Sequence, residues 1–458
     1  MIERRAGRTA NWSSPWMFVL ASAGFVVGLK NIWQFPHHLA LYGGSAFLAT
    51  YLIFLFVLGV PMIMTQIMLG RLGRGSPANA LTTLARRARL PARWRWLGLA
   101  GILGGFLVFA YYSVVAGWIL AYAARSATGA LNGLTTEGAA SVFTSLIKDS
   151  EKQLFWYSVF MALTLLTGVG GLRVGLQRIT RYAVPLIFGL LLLLVLYAAS
   201  SGAFVLGIEY LLRTDFPQLG GDGVLVALGD AFFSLGLGAV TFMMYGAYLP
   251  QQGPVLRLAL FVILADVVAG LLAALAIFPI LFAGGGLSAA GPGLVFESLT
   301  VAFDPLPFGA LMRALMFVLL ALVAWMSTVG LIEPAIVWLM EKRKISRRRA
   351  ALWVGAAAWP IGVLCILSLD LWAFTFTFIG IVRTFGMLDV LIVFTSFVLL
   401  PLVAMGLAVF AGWMLSAQTT REALAIESPC AHDAWLWLNR LIIPLLLILL
   451  LFGVRLFL

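Results

Sequence analysis

Polar residues are sparse along this chain and gather in short clusters, and between the clusters run stretches in which nearly every position is apolar. A hydrocarbon core about 30 Å thick takes roughly 20 apolar residues per helix. Eleven stretches meet that requirement, over about 14–38, 43–70, 96–124, 153–170, 179–200, 224–249, 256–284, 309–340, 350–369, 388–415 and 436–457. The runs are continuous rather than alternating, as from Leu186 to Leu196, whereas a membrane β-barrel needs segments of about ten alternating residues. The pattern therefore predicts an all-α integral membrane protein with 11 transmembrane helices.

Composition narrows the class further. With 62% hydrophobic and 10% charged residues and a mean hydropathy of +1.04, a water-soluble domain is excluded. The net charge of +12 does not signal a nucleic-acid partner, because the bases cluster in loops on one side of the helix count. Arg4, Arg5 and Arg8 precede the first helix, Arg71, Arg74, Arg86, Arg87, Arg89, Arg93 and Arg95 follow the second, and Lys342 to Arg349 follow the eighth. Acidic residues fall in the opposite loops: Glu137, Asp149, Glu151, Glu209, Asp215 and Asp222. The positive-inside rule then places the N-terminus in the cytoplasm and the C-terminus outside a bacterial-type inner membrane. The first run is too long and too glycine-rich for a signal peptide. Cys365 lies within a helix and Cys430 in a cytoplasmic loop, so no disulfide is expected. No metal cluster or nucleophile–base pair appears in the spans, so no enzyme and no organic cofactor is expected, and His37 and His38 read as interfacial residues at the outer end of helix one.

Two helices break their own pattern. Helix one carries Ala23-Gly24-Phe25-Val26-Val27-Gly28-Leu29-Lys30-Asn31, with glycines, a charge and an amide at membrane depth; helix six carries Ser234-Leu235-Gly236-Leu237-Gly238-Ala239. Glycine can serve close helix packing alone. Interruptions at corresponding positions of two five-helix halves, however, point to a 5+5 inverted repeat with discontinuous helices 1 and 6 and a binding site between them. The halves cover about 14–200 and 224–415, with an extra helix at about 436–457, all within one transmembrane domain over 1–458.

These segments, with Trp12, Gly28-Leu29, Phe35-Pro36, Gly43-Gly44-Ser45-Ala46-Phe47, Gly59-Val60-Pro61, Tyr111-Tyr112, Trp118, Phe232-Phe233, Leu275-Ala276-Ile277-Phe278-Pro279 and Leu399-Leu400-Pro401, resemble the neurotransmitter:sodium symporter family, in particular its bacterial amino-acid branch with the LeuT-like fold. Gly175 and Pro185 look like the glycine–proline pair whose unwinding opens an inward water path in bacterial members. The resemblance implies a secondary active transporter that moves a neutral, hydrophobic amino acid by alternating access, nominally driven by Na+. It implies a substrate carboxylate held by the backbone around Leu29 and Lys30 and by the Tyr112 hydroxyl. It also implies a side-chain pocket of Val108, Phe233, Ser234, Gly236, Ala239 and Leu331, where Gly236 and Ala239 release room for a bulky substrate.

Departures from the family pattern concern the ions and gates. The resemblance implies one sodium site from Val26, Asn31, Ser234 and Asp266, and a second from Gly24, Val27, Val323 and Ser327. Asp266 replaces an amide, Lys30 a glycine, and Met326 a hydroxyl residue; a thioether is a poor ligand for a hard cation, which leaves Thr328 or water to compensate. Asp230 stands where a glutamine is usual, and Gly270 where relatives carry an acid that substitutes for chloride. Lys30, Asp230 and Asp266 are expected to pair, since isolated charges at this depth are costly. Lys30 would then replace a sodium, which leaves open a sodium-independent, proton-linked or exchange carrier, or a non-transporting receptor. The outer gate has Gln34 in place of an arginine and Ile392 in place of an aspartate, with Asp389 as a substitute, and the inner gate is expected to pair Glu341 with Arg8 beside Trp12 and Tyr248.

Overall fold

The computed structural model describes residues 11–250, 253–285, 292–370, 372, 374–378 and 381–453. In chain order its helices are α1 (Pro15–Val26), α2 (Leu29–Leu41), α3 (Ser45–Phe54), α4 (Val60–Gly73), α5 (Pro77–Arg87), α6 (Arg95–Ala127) and α7 (Thr136–Lys148). There follow α8 (Ser150–Gly170), α9 (Arg178–Ala199), α10 (Phe204–Leu212), α11 (Phe216–Ser234), α12 (Thr241–Ala247), α13 (Val255–Ala283), α14 (Leu299–Ala302) and α15 (Gly309–Arg343). The last are α16 (Arg347–Leu367), α17 (Met387–Ile392), α18 (Leu400–Val409), α19 (Ala417–Leu424), α20 (Pro429–Trp437) and α21 (Ile443–Phe452). An antiparallel pair of strands, β1 (Phe374–Phe378) and β2 (Ile381–Phe385), lies between α16 and α17 with Phe374 opposite Phe385.

Among the described residues eight helices, some continued through π-type turns, are long and apolar enough to cross a membrane, or nine when the bent pair α1–α2 counts as one. One of the eight, Ser150–Ala199, has 50 residues. At 1.5 Å per residue it would be about 75 Å long, more than twice the hydrocarbon core. Gly171 interrupts it with φ +69°, in a backbone region that glycine enters without strain. The interruption lies ahead of the Gly175–Pro185 pair. Gly175 falls in the π-type turn Gly171–Gln177 and Pro185 inside the continuous α9, so the stretch expected to unwind is helical here.

Both predicted breaks are present. α1 and α2 meet at 58° across Val27 and Gly28, whose backbone is extended. The freed N–H of Gly28 donates to Asn31 Oδ1 at 3.1 Å, so the amide at membrane depth acts as a cap for α2. Helix six parts after Ser234, and three residues before α12 have positive φ: Gly236 (+59°), Gly238 (+91°) and Val240 (+54°). A Cβ on Gly238 would stand 2.3 Å from the Leu400 carbonyl oxygen, so only glycine lets this strand of backbone pass α18. The long helices α6 and α15 pack along each other and against α8 and α16, while α1 packs on α9, α13 and α15 and α12 on α4.

Candidate functional site

The loose ends of α1, α2, α11 and α12 enclose a cavity of about 110 Å³. Leu29, Lys30, Val108, Tyr112, Phe233, Ser234, Gly236, Ala239 and Leu331, the nine residues expected to meet substrate, all line it. Phe25, Tyr111, Leu237, Ser396 and Leu400 line it too, and the sequence reading did not assign them to the pocket. Phe25 also corrects one expectation. A Cβ on Gly236 would lie 2.6 Å from the Phe25 ring, and one on Gly330 2.5 Å from it. The room released at Gly236 is thus filled by Phe25 rather than left for ligand, and the two glycines flanking that ring were the signal that could have revealed it.

The polar groups gather at the break. The Leu29 N–H donates to the Tyr112 hydroxyl at 3.1 Å, which places a backbone donor and a side-chain hydroxyl together at the start of α2. The positive end of a helix dipole adds to both, and such an arrangement receives a carboxylate. The rest of the wall is mainly apolar. Phe233 stacks edge-on with Phe397 at 5.1 Å, and the Lys30 ammonium lies 4.2 Å above the Phe233 ring, a cation–π contact.

The acidic residues do not take the arrangement expected of them. Among the described residues Lys30 makes no ion pair within 4.0 Å. Asp230 instead meets His38, with Oδ2 2.7 Å from Nδ1, and both side chains are largely buried. His38 therefore faces inward from α2 rather than sitting at the interface. Asp266 accepts from Asn31 Nδ2 at 2.8 Å and from the Tyr51 hydroxyl at 2.6 Å, and Tyr51 also reaches Ser234 Oγ at 3.2 Å. Three members of the first expected sodium set, Asn31, Ser234 and Asp266, are thus joined in one hydrogen-bonded group with Tyr51. At Gly270 a Cβ would meet the Phe35 ring at 3.1 Å, so an acid here would require that ring to shift.

The family model of the sodium:neurotransmitter symporters matches residues 9–142 and 152–457. This chain belongs to the sodium:neurotransmitter symporter family. A Bacillus subtilis (strain 168) protein named an uncharacterized sodium-dependent transporter, YhdH, is 31% identical to it over 450 residues, 96% of each chain. A Haemophilus influenzae protein described as an uncharacterized sodium-dependent transporter is 28% identical over 446 residues, 95% of this chain and 96% of its own. The crystal structure of MhsT in complex with L-phenylalanine matches with a TM-score of 0.86 and 30% identity, over 98% of this chain and 100% of that one. The chain is a multi-pass membrane transporter with the LeuT-like fold, and not an enzyme.

In this chain the second expected sodium position keeps one hydroxyl. Ser327 Oγ donates to the Phe25 carbonyl at 3.2 Å and lies 3.5 Å from that of Val27, near the end of α1 where Gly24 also lies; Val323 is one turn earlier on α15. Thr328 does not compensate for Met326. Its hydroxyl donates to the Ala324 and Trp325 carbonyls and meets Thr164 on α8, on the other side of α15. The Met326 thioether instead packs on Gly24, where an added Cβ would stand 2.9 Å from Cε. Met326→Thr is expected to tighten sodium binding by about ten-fold, the size of effect that single changes around a metal produce. Sodium titration of the thermal unfolding midpoint checks this, and an unchanged titration would show that position 326 does not face a bound sodium.

The gates also differ from expectation. Arg8 lies outside the described residues, and Glu341 accepts from the Ser76 N–H at 3.0 Å and from Asn79 at 2.7 Å, capping the N-terminus of α5. Trp12 donates from Nε1 to the Tyr245 carbonyl at 2.9 Å and packs edge-on against Tyr248. Tyr248 donates at 2.7 Å to Glu333, and Glu333 is held by two nitrogens of Arg347. The acid beside Tyr248 is therefore Glu333, two turns earlier on α15 than the residue proposed from sequence. At the outer side Asp389 accepts from the Gly386 N–H at 2.9 Å, which makes it the cap of α17 rather than a partner for Gln34.

Proposed function

We propose that this symporter carries a neutral, hydrophobic amino acid across a bacterial-type inner membrane by alternating access. Eleven crossings form two five-helix repeats and an extra helix, and the bundle of spans one, two, six and seven rocks against three, four, eight and nine. The observation that carries this reading is the convergence of the Leu29 N–H and the Tyr112 hydroxyl on an apolar cavity at the broken helix. L-phenylalanine in the MhsT complex supports the same substrate class. Sodium drives uptake through Asn31, Ser234 and Asp266 and, with fewer oxygen ligands, through Gly24, Val27, Val323 and Ser327. The basic loops face the cytoplasm.

A second reading rests on Lys30, whose ammonium stands in the cavity wall with a ring, and no carboxylate within 4.0 Å among the described residues, beneath it. In that reading it takes the place of the first sodium and balances the substrate carboxylate, so uptake needs fewer sodium ions. Uptake of labelled neutral amino acids into proteoliposomes, with and without a sodium gradient, separates the two. Under the sodium reading uptake collapses without the gradient. Under the lysine reading it persists, and Lys30→Gly restores a steep sodium requirement. Substrate binding with no flux under any gradient would overturn both.

A further inference from the structure

A second hollow, of about 250 Å³, lies away from the central cavity where α1, α13 and the turn after α12 meet. Its walls are apolar, with Trp16 and Val19 from α1 and Leu258 and Phe261 from α13, and the Trp16 and Phe261 rings stand 4.9 Å apart. It opens on a surface built for lipid: Trp16 is 58% exposed, and Leu256, Leu260 and Leu264 on the same stretch of α13 are exposed as well. A ring with a polar nitrogen at such a boundary is an interfacial anchor.

The charged side chains lining the hollow are both cations, Arg71 and Arg257. Arg71 is only 2% exposed. Its Nη1 donates to the Gly253 carbonyl at 3.0 Å and the Ala423 carbonyl at 3.3 Å, but its Nε has no partner among the described residues. Among the described residues no carboxylate lies within 4.0 Å of it. A buried guanidinium without a counter-ion is strongly unfavourable, so the site lacks an anion. Nearby, α13 begins after Pro254 with no side-chain cap among the described residues and no acidic residue in its first turn.

We propose that this hollow binds an anionic phospholipid, its phosphate between the Arg71 and Arg257 guanidiniums and an acyl chain along Trp16, Val19, Leu258 and Phe261. The walls select a lipid over a small anion, because a free phosphate would leave the apolar surface unused. The bound lipid bridges α1, the inner half of the broken helix, to α13. The test is the thermal unfolding midpoint of the delipidated full chain in detergent, titrated with phosphatidylglycerol, with phosphatidylcholine and with inorganic phosphate, alongside native mass spectrometry. Phosphatidylglycerol raises the midpoint and stays bound, and the other two do not. Arg257→Ala, at an exposed position, weakens phosphatidylglycerol about five-fold, the effect of one basic residue at an anionic lipid surface; Trp16→Ala weakens it independently. Stabilisation by inorganic phosphate equal to that by phosphatidylglycerol would overturn the lipid assignment in favour of a small anion. Equal effects of the two lipids, or phosphatidylglycerol binding unchanged in both variants, would overturn the site.

Discussion

Arg347→Ala is expected to destabilise the folded transporter by about 3–5 kcal/mol, the range found when one partner of a buried ion pair is removed. Glu333 is 2% exposed and, among the described residues, would be left with the Tyr248 hydroxyl as its one side-chain donor. The same substitution removes the Arg347 Nε bond to the Gly168 carbonyl at 2.7 Å, which ties the end of α8 to this network. Unfolding of the purified protein measures the loss. A double variant, Arg347→Met with Glu333→Met, should recover most of it, because two apolar side chains strand no charge. If the double variant were as unstable as the single one, the loss would come from packing and not from the stranded carboxylate. Tyr248 also loses its acceptor in the double variant, so the closure by Trp12 and Tyr248 should loosen even where stability returns, seen as faster labelling of a cysteine placed below the cavity.

The second large effect is expected from Tyr112→Phe. The substitution keeps the ring and deletes the hydroxyl that meets the Leu29 N–H. A hydrogen bond to a charged group contributes about 1.5–3 kcal/mol, so affinity for an amino acid should fall by about 10–100-fold, with a matching rise in KM. Binding competition with L-phenylalanine and its decarboxylated analogue reads the origin of the loss. The variant should discriminate less between the two, because the missing contact is one to the carboxylate. Undiminished affinity would put the carboxylate elsewhere, with the Lys30 ammonium in the same cavity as the nearest cation.

The two unwound segments were legible for a physical reason. Glycines at 24, 28, 236 and 238 and the polar Lys30, Asn31 and Ser234 are poor choices for an uninterrupted helix in lipid, and that inconsistency shows in one dimension. The nine residues around the cavity follow from the position of those breaks and from the family resemblance. The partner of each polar group did not follow. Asp230 faces His38, 192 residues away, and Asp266 is taken by Asn31 and Tyr51. Lys30 is left above an aromatic ring. Which of several charges at one depth become neighbours depends on helix rotation and tilt, and no spacing along the chain records these.

Small residues were misread for a related reason. Gly236 suggests empty volume when read along its own helix, but the Phe25 ring occupies that volume from another. The acid beside Tyr248 is Glu333 and not Glu341 because α15 turns the former inward and leaves the latter at the N-terminus of α5. By itself the sequence determined that the chain is helical and lives in a bilayer, and where two of its helices come apart, since hydrophobic length and backbone propensity are local properties. Only the tertiary structure decided which side chains close the cavity, which charges neutralise one another and where Arg71 is buried with no carboxylate within 4.0 Å among the described residues, because burial and pairing are properties of faces that meet only in the folded molecule.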